Sequence, residues 1–391
     1  MQFLVSAGEA SGDMYAAGVV SHLAKALPNL VYYGCAGPKL RQAGVKSVVD
    51  ASQLAVVGLA EVVEHLPRIY GEYRKLITYT RQHRPVGALL TDSPDFHLRL
   101  ARHLKRLQVP VFYLVAPQVW AWRQHRVKAI SRLVDKLFCL FPFEEEWFRD
   151  RGVDATYIGH PLAHTLGNPV KPRSSRAEFL SLHGLPADQR LIVLLPGSRA
   201  GEACRHLPVL LEAVALLRQS QRLSVILATP QGFQTHAALK KFREPIESLA
   251  IKVIENETWD CIRHADLALA ASGTVTIEAA VLGTPMVTFY KVAPLTWLAG
   301  RRLVKVPFLS MVNLVAGRAI VPELIQHEMT PEKIAAAAQA LLENRRLTDA
   351  MRGELAEVRA TLTRQGDPLQ RAAEIIAAAI PRQRALSSHV F

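Results

Sequence analysis

Short apolar runs alternate with segments whose apolar residues recur every three or four positions, and the alternation persists along most of the chain. The runs predict strands at Gln2 to Ser6, Val31 to Cys35, Ala88 to Thr91, Val109 to Val115, Lys136 to Phe141 and Thr156 to Ile158. A second series follows at Leu191 to Leu195, Ser224 to Ala228, Lys252 to Ile254, Leu267 to Ala270 and Met286 to Phe289. Helical periods lie between them, as in Val19, Val20, Leu23 and Leu27, or Leu207, Leu210, Leu211, Val214 and Leu217. Strands alternating with helices predict parallel sheets covered on both faces. His160 to Arg176 holds three prolines and few apolar residues, and reads as a linker. The fold class expected is therefore α/β, with two parallel-sheet domains at 1–165 and 166–391 facing a central cleft. Ala- and Leu-rich helices from Pro331 to Ile380 are assigned to the second domain.

Composition narrows the class. With 391 residues, 50% hydrophobic and 21% charged, the chain is globular and sized for about two domains. Cys35, Cys139, Cys204 and Cys261 are widely separated and form no C-x-x-C pair, which predicts reduced thiols in a cytosolic protein. His160 and His164 are four apart but lack a third ligand nearby, so no metal site is assigned. The opening MQFLVSAGEASGD reads as a first strand, with no basic lead for a secretion signal, and no stretch is long enough to span a bilayer. A soluble or peripheral protein is expected. The net charge of +13 is uneven: Phe96 through Val134 has eight Lys or Arg and no acid, and Ala279 through Pro322 has five and no acid. Such windows point to phosphates, nucleic acid or anionic lipid.

The candidate chemistry sits where strands end. In Leu191 to Glu202, LIVLLPGSRAGE, a strand meets the small turn Pro196-Gly197-Ser198 and then a helix start, where free amides and the helix dipole favour an anion. Arg199 adds a fork suited to phosphate oxygens. Ser272-Gly273-Thr274 repeats the strand, glycine turn and helix; Thr274 and Glu278 share a helical face, which suits either a ribose or a helix cap. Gly8-Glu9-Ala10-Ser11-Gly12-Asp13 follows the first strand and lets a ligand approach the backbone. Asp92 closes another strand, in TDSPD; it and Asp95 each read as a helix N-cap, and Asp92 equally as a general base. Trp120 and Trp122 beside a basic helix suit core packing or a rim that meets a sugar, a base or a membrane. There is no G-x-G, no Gly-Lys pair and no G-x-S-x-G, which removes the dinucleotide fingerprint, the P-loop and the simplest hydrolase motif.

SAGEASGD, VAPQVWAWR, FPFEEEWF, IGHPLAH, LLPGSR, ASGT with Glu278, and NLVAGR from Asn313 to Arg318 resemble, in order and spacing, the successive blocks of the lipid A disaccharide synthases. These are glycosyltransferases of the GT-B type, with two Rossmann-like domains. The resemblance implies transfer of a 2,3-diacylglucosamine unit from UDP to 2,3-diacylglucosamine 1-phosphate with inversion and release of UDP. It implies Asp92 as the base toward the acceptor's 6-hydroxyl. Gly197, Ser198, Arg199, Ser272, Gly273, Thr274, Glu278 and Asn313 would bind UDP, and Gly8, Glu9, Ser11, Gly12, Asp13, Gln118 and Trp120 would line the acceptor side. No cofactor is implied; the absence of Asp-x-Asp fits a metal-free mechanism in which Arg199 and helix N-termini meet the leaving charge. Two departures stand out: Ser310-Met311-Val312 precedes Asn313 where the family usually has proline, and His97 stands where Asn is common. The competing readings are an isomerase of the UDP-N-acetylglucosamine 2-epimerase type and a non-catalytic binder of nucleotide sugar or lipid phosphate.

Acylated substrates predict a protein peripheral to the inner face of the inner membrane, with an anionic lipid surface and no nucleic acid as partner. From Leu54 to Ile77, Leu59, Val62, Val63, Leu66, Ile69, Tyr70, Tyr73 and Ile77 keep a helical period. Leu59, Val62, Val63 and Leu66 are the candidate membrane contacts, and Pro67 predicts two shorter helices. Trp297 and Leu298, beside Arg301, Arg302 and Lys305, are a second candidate patch.

Overall fold

The computed structural model describes residues 1–51, 59–167, 175–233, 235–300, 304 and 306–380, with the side chains of 59–66, 295, 296 and 299 outside that description. The chain divides into two compact units, Met1–Pro161 with Gln365–Phe391, and Leu162–Arg364.

Unit 1 runs β1 (Gln2–Ala7), α1 (Ala10–Ala26), β2 (Val31–Ala36), α2 (Pro38–Gln42), β3 (Lys46–Asp50), α3 (Leu59–His83), β4 (Ala88–Thr91), α4 (Pro94–Arg106), β5 (Val111–Leu114), α5 (Val127–Leu133), β6 (Lys136–Cys139), α6 (Pro142–Arg149) and β7 (Ala155–Tyr157). Unit 2 begins with α7 (Pro161–Gly167), α8 (Arg176–Leu182), β8 (Arg190–Leu195), α9 (Ala200–Ser220), β9 (Leu223–Thr229), α10 (Arg243–Ser248), β10 (Lys252–Glu255), α11 (Thr258–His264), β11 (Leu267–Ala271) and α12 (Thr274–Leu282). It continues with β12 (Met286–Tyr290), α13 (Pro294–Gly300), α14 (Met311–Ala316), β13 (Glu323–Ile325), α15 (Pro331–Glu343) and α16 (Arg345–Thr363); α17 (Pro368–Ala379) then belongs to unit 1.

Both sheets pair in parallel throughout, in the orders β3-β2-β1-β4-β5-β6-β7 and β10-β9-β8-β11-β12-β13. Helices cover both faces of such sheets, so their strands read as unbroken apolar runs. Leu191 to Leu195 in β8 are all buried, as are Leu267 to Ala271 in β11. Removing a methyl or two from one of these, as in Val193→Ala, would cost a few kcal/mol through lost transfer energy and a residual cavity. In each sheet the order turns back at one pair of neighbours: β1 and β4 in unit 1, β8 and β11 in unit 2. At such switch points the connections leave in opposite directions and open a crevice at the carboxyl ends of the strands.

Three expectations change, the first being that α3 runs as one helix through Pro67 where two shorter ones were expected. The first crossing between units, at Pro161, lies near the expected boundary, but α17, expected with the second domain, packs on α1. There Leu369 takes the space a side chain at Gly18 would need, and His22 Nε2 lies 3.4 Å from Asp367 Oδ2. The stretch read as a linker opens with α7, for which Pro161 supplies a preset φ at the first helical position; residues 168–174 of it lie outside the described residues. His160 is buried with its ring 5.2 Å from that of Phe141, and burial lowers its pKa to about 4, so it is a neutral core histidine. The four thiols are free, three of them buried, and no described helix is long and apolar enough to cross a membrane.

Candidate active site

In unit 1 the loops after β1 and β4, the switch-point pair, converge on Asp92. Strand β4 ends at Thr91, and the chain turns through Asp92 (φ 57) and Ser93 (φ 39) before Pro94 opens α4. Left-handed backbone costs a non-glycine residue about 1–2 kcal/mol, so two in succession need support from their surroundings. That support is visible at both ends of Asp92. Its Oδ1 accepts from the Gly8 amide at 2.9 Å and its Oδ2 from the Glu9 amide at 3.2 Å, so the carboxylate serves α1 as the N-terminal anion that Glu9, the N-cap, does not supply. Its backbone carbonyl accepts from His97 Nδ1 at 2.8 Å and from the Tyr113 hydroxyl. A carbonyl only accepts, so the His97 proton sits on Nδ1, and Nε2 accepts a hydrogen bond from the Ser6 hydroxyl at 2.7 Å.

The carboxylate keeps lone pairs beyond the two that meet the amides. Burial raises its pKa to about 7; hydrogen bonds from Ser93, Gly8 and Glu9 pull the other way, and the Glu9 charge adds to the rise. A carboxylate poised near neutrality and oriented by fixed amides has the properties that general-base chemistry requires. Gly8 and Gly12 leave the room: a side chain at Gly8 would run into Ser93, and one at Gly12 into the Asp92 carboxylate. Asp95, the alternative carboxylate, is 70% exposed and ion-paired to Arg126 at 2.6 Å and Arg123 at 3.5 Å. Neither aspartate is the N-cap of α4, which is Ser93.

In unit 2 the switch-point loops carry Gly197-Ser198-Arg199 after β8 and Ser272-Gly273-Thr274 after β11. Gly197 has φ 110, and a Cβ there would lie 2.8 Å from the Glu202 carboxylate. Arg199 is the N-cap of α9, its side chain 67% exposed and 3.9 Å from Glu202. Among the described residues neither α9 nor α12 receives a side-chain cap, which leaves the amides of their first residues uncapped beside Arg199 and beside Gly273, where a Cβ would meet no described atom within 4 Å. Ser272 donates its hydroxyl to the Leu309 carbonyl at 2.8 Å. Thr274 is exposed one turn before Glu278. Glu278 accepts from Trp259 Nε1 at 2.9 Å, which opposes the upward pull of burial on its pKa and holds one oxygen; the other has no partner among the described residues.

Sequence reasoning missed the supports. His206, buried in α9, meets the Pro196 carbonyl through Nδ1 at 2.7 Å and accepts from the Lys291 amide at 3.1 Å, tying the turn before Gly197 to the end of β12. Burial lowers its pKa, which favours the neutral ring. Trp259 and His97 were equally unforeseen as partners of Glu278 and Asp92. A helix-facing histidine or tryptophan near a strand end is the only signal the sequence offers for such roles.

Several expected ligand contacts turn out to be structural. Both oxygens of buried Asp13 accept from the amides of Gly37, Lys39 and Leu40, so it fastens α2. Trp120 is 4% exposed and donates Nε1 to Glu144 Oε1 at 3.0 Å; buried Glu144, its pKa raised to about 7 by desolvation, also takes the Leu140 and Phe141 amides. Trp120 is thus core, whereas Trp122 is exposed with the Arg123 guanidinium 4.0 Å above its ring. Asn313 has no free polar atom: Nδ2 donates to Val321 O and Glu323 Oε1, and Oδ1 accepts from Ile320 and Val321 amides. It knots the loop after α14, for which the departing Ser310 supplies the N-cap at 3.2 Å from the Asn313 amide. Ser11 and Gln118 are exposed at the surface of unit 1. Leu59, Val62, Val63 and Leu66 fall on α3 with side chains outside the description, and Arg301, Arg302 and Lys305 lie outside the described residues.

Two parallel-sheet α/β units with loops gathered at a switch point in each are the architecture of the GT-B glycosyltransferases and the epimerases that share it. The UDP-GlcNAc 2-epimerase of Neisseria meningitidis, solved with UDP-GlcNAc, superposes with a TM-score of 0.63 over 97% of this chain and 99% of that one, at 14% identity, which speaks for the fold alone. The family model Lipid-A-disaccharide synthetase matches residues 3–376. The lipid-A-disaccharide synthase of Solibacter usitatus (strain Ellin6076) is 56% identical over 368 residues, 94% of each chain. That of Anaeromyxobacter dehalogenans (strain 2CP-C) is 41% identical over 375 residues, 96% of this chain and 97% of that one. The chain belongs to the lipid-A-disaccharide synthetase family. It is therefore a glycosyltransferase of lipid A biosynthesis, with a sugar nucleotide and a lipid phosphate as substrates.

Proposed function

We propose that Asp92 is the base and that the loops after β8 and β11 hold UDP while a diacylglucosamine unit passes to the 6-hydroxyl of diacylglucosamine 1-phosphate. Asp92 takes the hydroxyl proton as the oxygen forms its bond to the anomeric carbon, and the bond to the UDP oxygen breaks on the opposite face, which inverts the centre. Charge appearing on the departing diphosphate meets Arg199 and the uncapped amides of α9 and α12, donors already in place before the charge forms. The second oxygen of Glu278 accepts from a ribose hydroxyl. The observation that carries this reading is the coincidence of both candidate sites with the switch points: Asp92 with the Gly8 loop at β1 and β4, and the Arg199 and Gly273 loops at β8 and β11. Incubating the protein with both acylated sugars should yield UDP and disaccharide in equal amounts, and Asp92→Asn should lower turnover by about 10² to 10⁴ with UDP binding retained. Full activity in Asp92→Asn, or its abolition by Asp95→Asn alone, overturns the assignment.

The acyl chains require a membrane surface, since each exposed methylene costs about 0.8 kcal/mol. We place that surface at unit 1, where Tyr73 of α3 and Arg99, Arg102, His103 and Arg106 of α4 line a groove of about 300 Å³. None of the three arginines has an ion-pair partner among the described residues, so their charge is open to lipid phosphate.

A further inference from the structure

We infer that His97 and Tyr113 are positioning residues for the transfer, holding the backbone carbonyl of Asp92 so that its left-handed turn, and with it the direction of the carboxylate, is fixed. The inference rests on Asp92 being the base. Strand β4 ends one residue earlier, so no described ladder bond takes the Asp92 carbonyl; its described partners are two side chains from separate elements, His97 Nδ1 on α4 at 2.8 Å and the Tyr113 hydroxyl on β5. Both donors are buried, His97 with no exposure at all. Ser6, on the neighbouring β1, donates a hydrogen bond to Nε2 at 2.7 Å, which matches the Nδ1–H tautomer that the carbonyl requires. Desolvation supports the neutral ring, lowering its pKa to about 4. The imidazole therefore points the same donor at the same carbonyl across the working pH range.

The carbonyl matters because Asp92 and Ser93 sit where L-residues gain by leaving. Released from its two donors, this turn relaxes toward negative φ, and the carboxylate moves off the Gly8 and Glu9 amides that orient it. Neither side chain touches the reacting atoms in this account. Each acts through Asp92, so their loss lowers turnover and leaves the sugar nucleotide's binding alone.

Steady-state kinetics on the full chain test this. In His97→Ala, kcat should fall about 10- to 100-fold, the scale of a misplaced catalytic group, while KM for the UDP sugar stays within about twofold. His97→Asn, whose Nδ2 hydrogen occupies the place of the Nδ1 hydrogen, should recover most of the loss. Tyr113→Phe should lower kcat in the same pattern by a smaller factor. Full kcat in His97→Ala, or no recovery in His97→Asn, overturns the inference; if His97→Ala does not fold, an unchanged kcat in Tyr113→Phe does so. Asp92→Asn is assayed alongside: if it is active the base assignment has failed, whereas if it is inactive and His97→Ala is not, only the positioning role has.

Discussion

The Asp92 carboxylate occupies the space that a side chain at Gly12 would need. Gly12 is the third residue of α1, where alanine ordinarily stabilises a helix by about 0.5–1 kcal/mol. Here the two effects separate. Gly12→Ala should displace the carboxylate from the Gly8 and Glu9 amides and lower kcat by about 100-fold without unfolding the protein. A thermal melt close to wild type with lost turnover is the expected pair of results; unchanged turnover would mean the carboxylate need not sit there.

Asp92 also predicts a pH profile. With its pKa raised to about 7, the base is protonated and idle in acid, so kcat/KM should climb with pH through about 7 and level off above it. Glu9 contributes to that rise, so Glu9→Gln should move the limb to lower pH. Stability runs the other way. Between the unfolded value of 3.8 and about 7 the folded chain keeps a proton the unfolded chain has released, so this group's contribution declines as pH increases across that window. Asp92→Asn should remove both the kinetic limb and its share of the decline, measured by denaturant melts at successive pH values.

Arg199 is exposed and only loosely approached by Glu202, so its charge is available to a diphosphate. Arg199→Ala should weaken UDP binding by about 1.5–3 kcal/mol in a calorimetric titration. Chelation of divalent ions should change neither binding nor turnover. Activity lost in chelator and restored by magnesium or manganese would contradict the charge assignment.

Trp259 holds one oxygen of Glu278 and opposes the rise of its pKa. Trp259→Phe keeps the ring and removes the donor. UDP affinity should fall by about 0.5–1.5 kcal/mol, and should weaken in acid at a higher pH than in wild type. Equal pH dependence in the two proteins would show that the indole hydrogen does not tune this carboxylate.

Membrane attraction is tested by the groove arginines. Replacing Arg99, Arg102 and Arg106 with Ala should reduce sedimentation with anionic vesicles by about 1 kcal/mol for each charge removed, with UDP binding intact. Val62, Val63 and Leu66 replaced by Ser should reduce it further and impair long-chain substrates. Wild-type protein that ignores anionic vesicles at low salt would end the proposal.

Much of this fold was legible because its strands are buried on both faces, where hydrophobic runs are unambiguous. β3 and β13 were not foreseen: each is an edge strand with half its residues or more in contact with solvent, and KSVVD or ELI carries too little apolar signal. The α17 pattern told that one face is covered, but its partner α1 lies at the other end of the chain, and amphipathicity does not name a partner. At the candidate site, small-residue turns after strands marked the Gly8, Asp92, Gly197 and Gly273 loops correctly as strand ends. What could not be read was which polar side chain in a motif serves the fold. Asp13 and Asn313 look like ligands in sequence because a carboxylate that caps a helix and one that meets a substrate are the same residue. Only coordinates reveal that each is already engaged by backbone groups of its own unit.

The return of α17 to α1 orders events during synthesis. Unit 2 is one continuous stretch, Leu162–Arg364, and all of it is synthesised before the helix that closes unit 1. Until then α1 lacks the cover that Leu369 and Asp367 provide, and the first domain to be translated is the last to be finished. A released chain truncated before Gln365 should therefore be cut by protease within unit 1 while unit 2 resists. With the final helix included, both should resist.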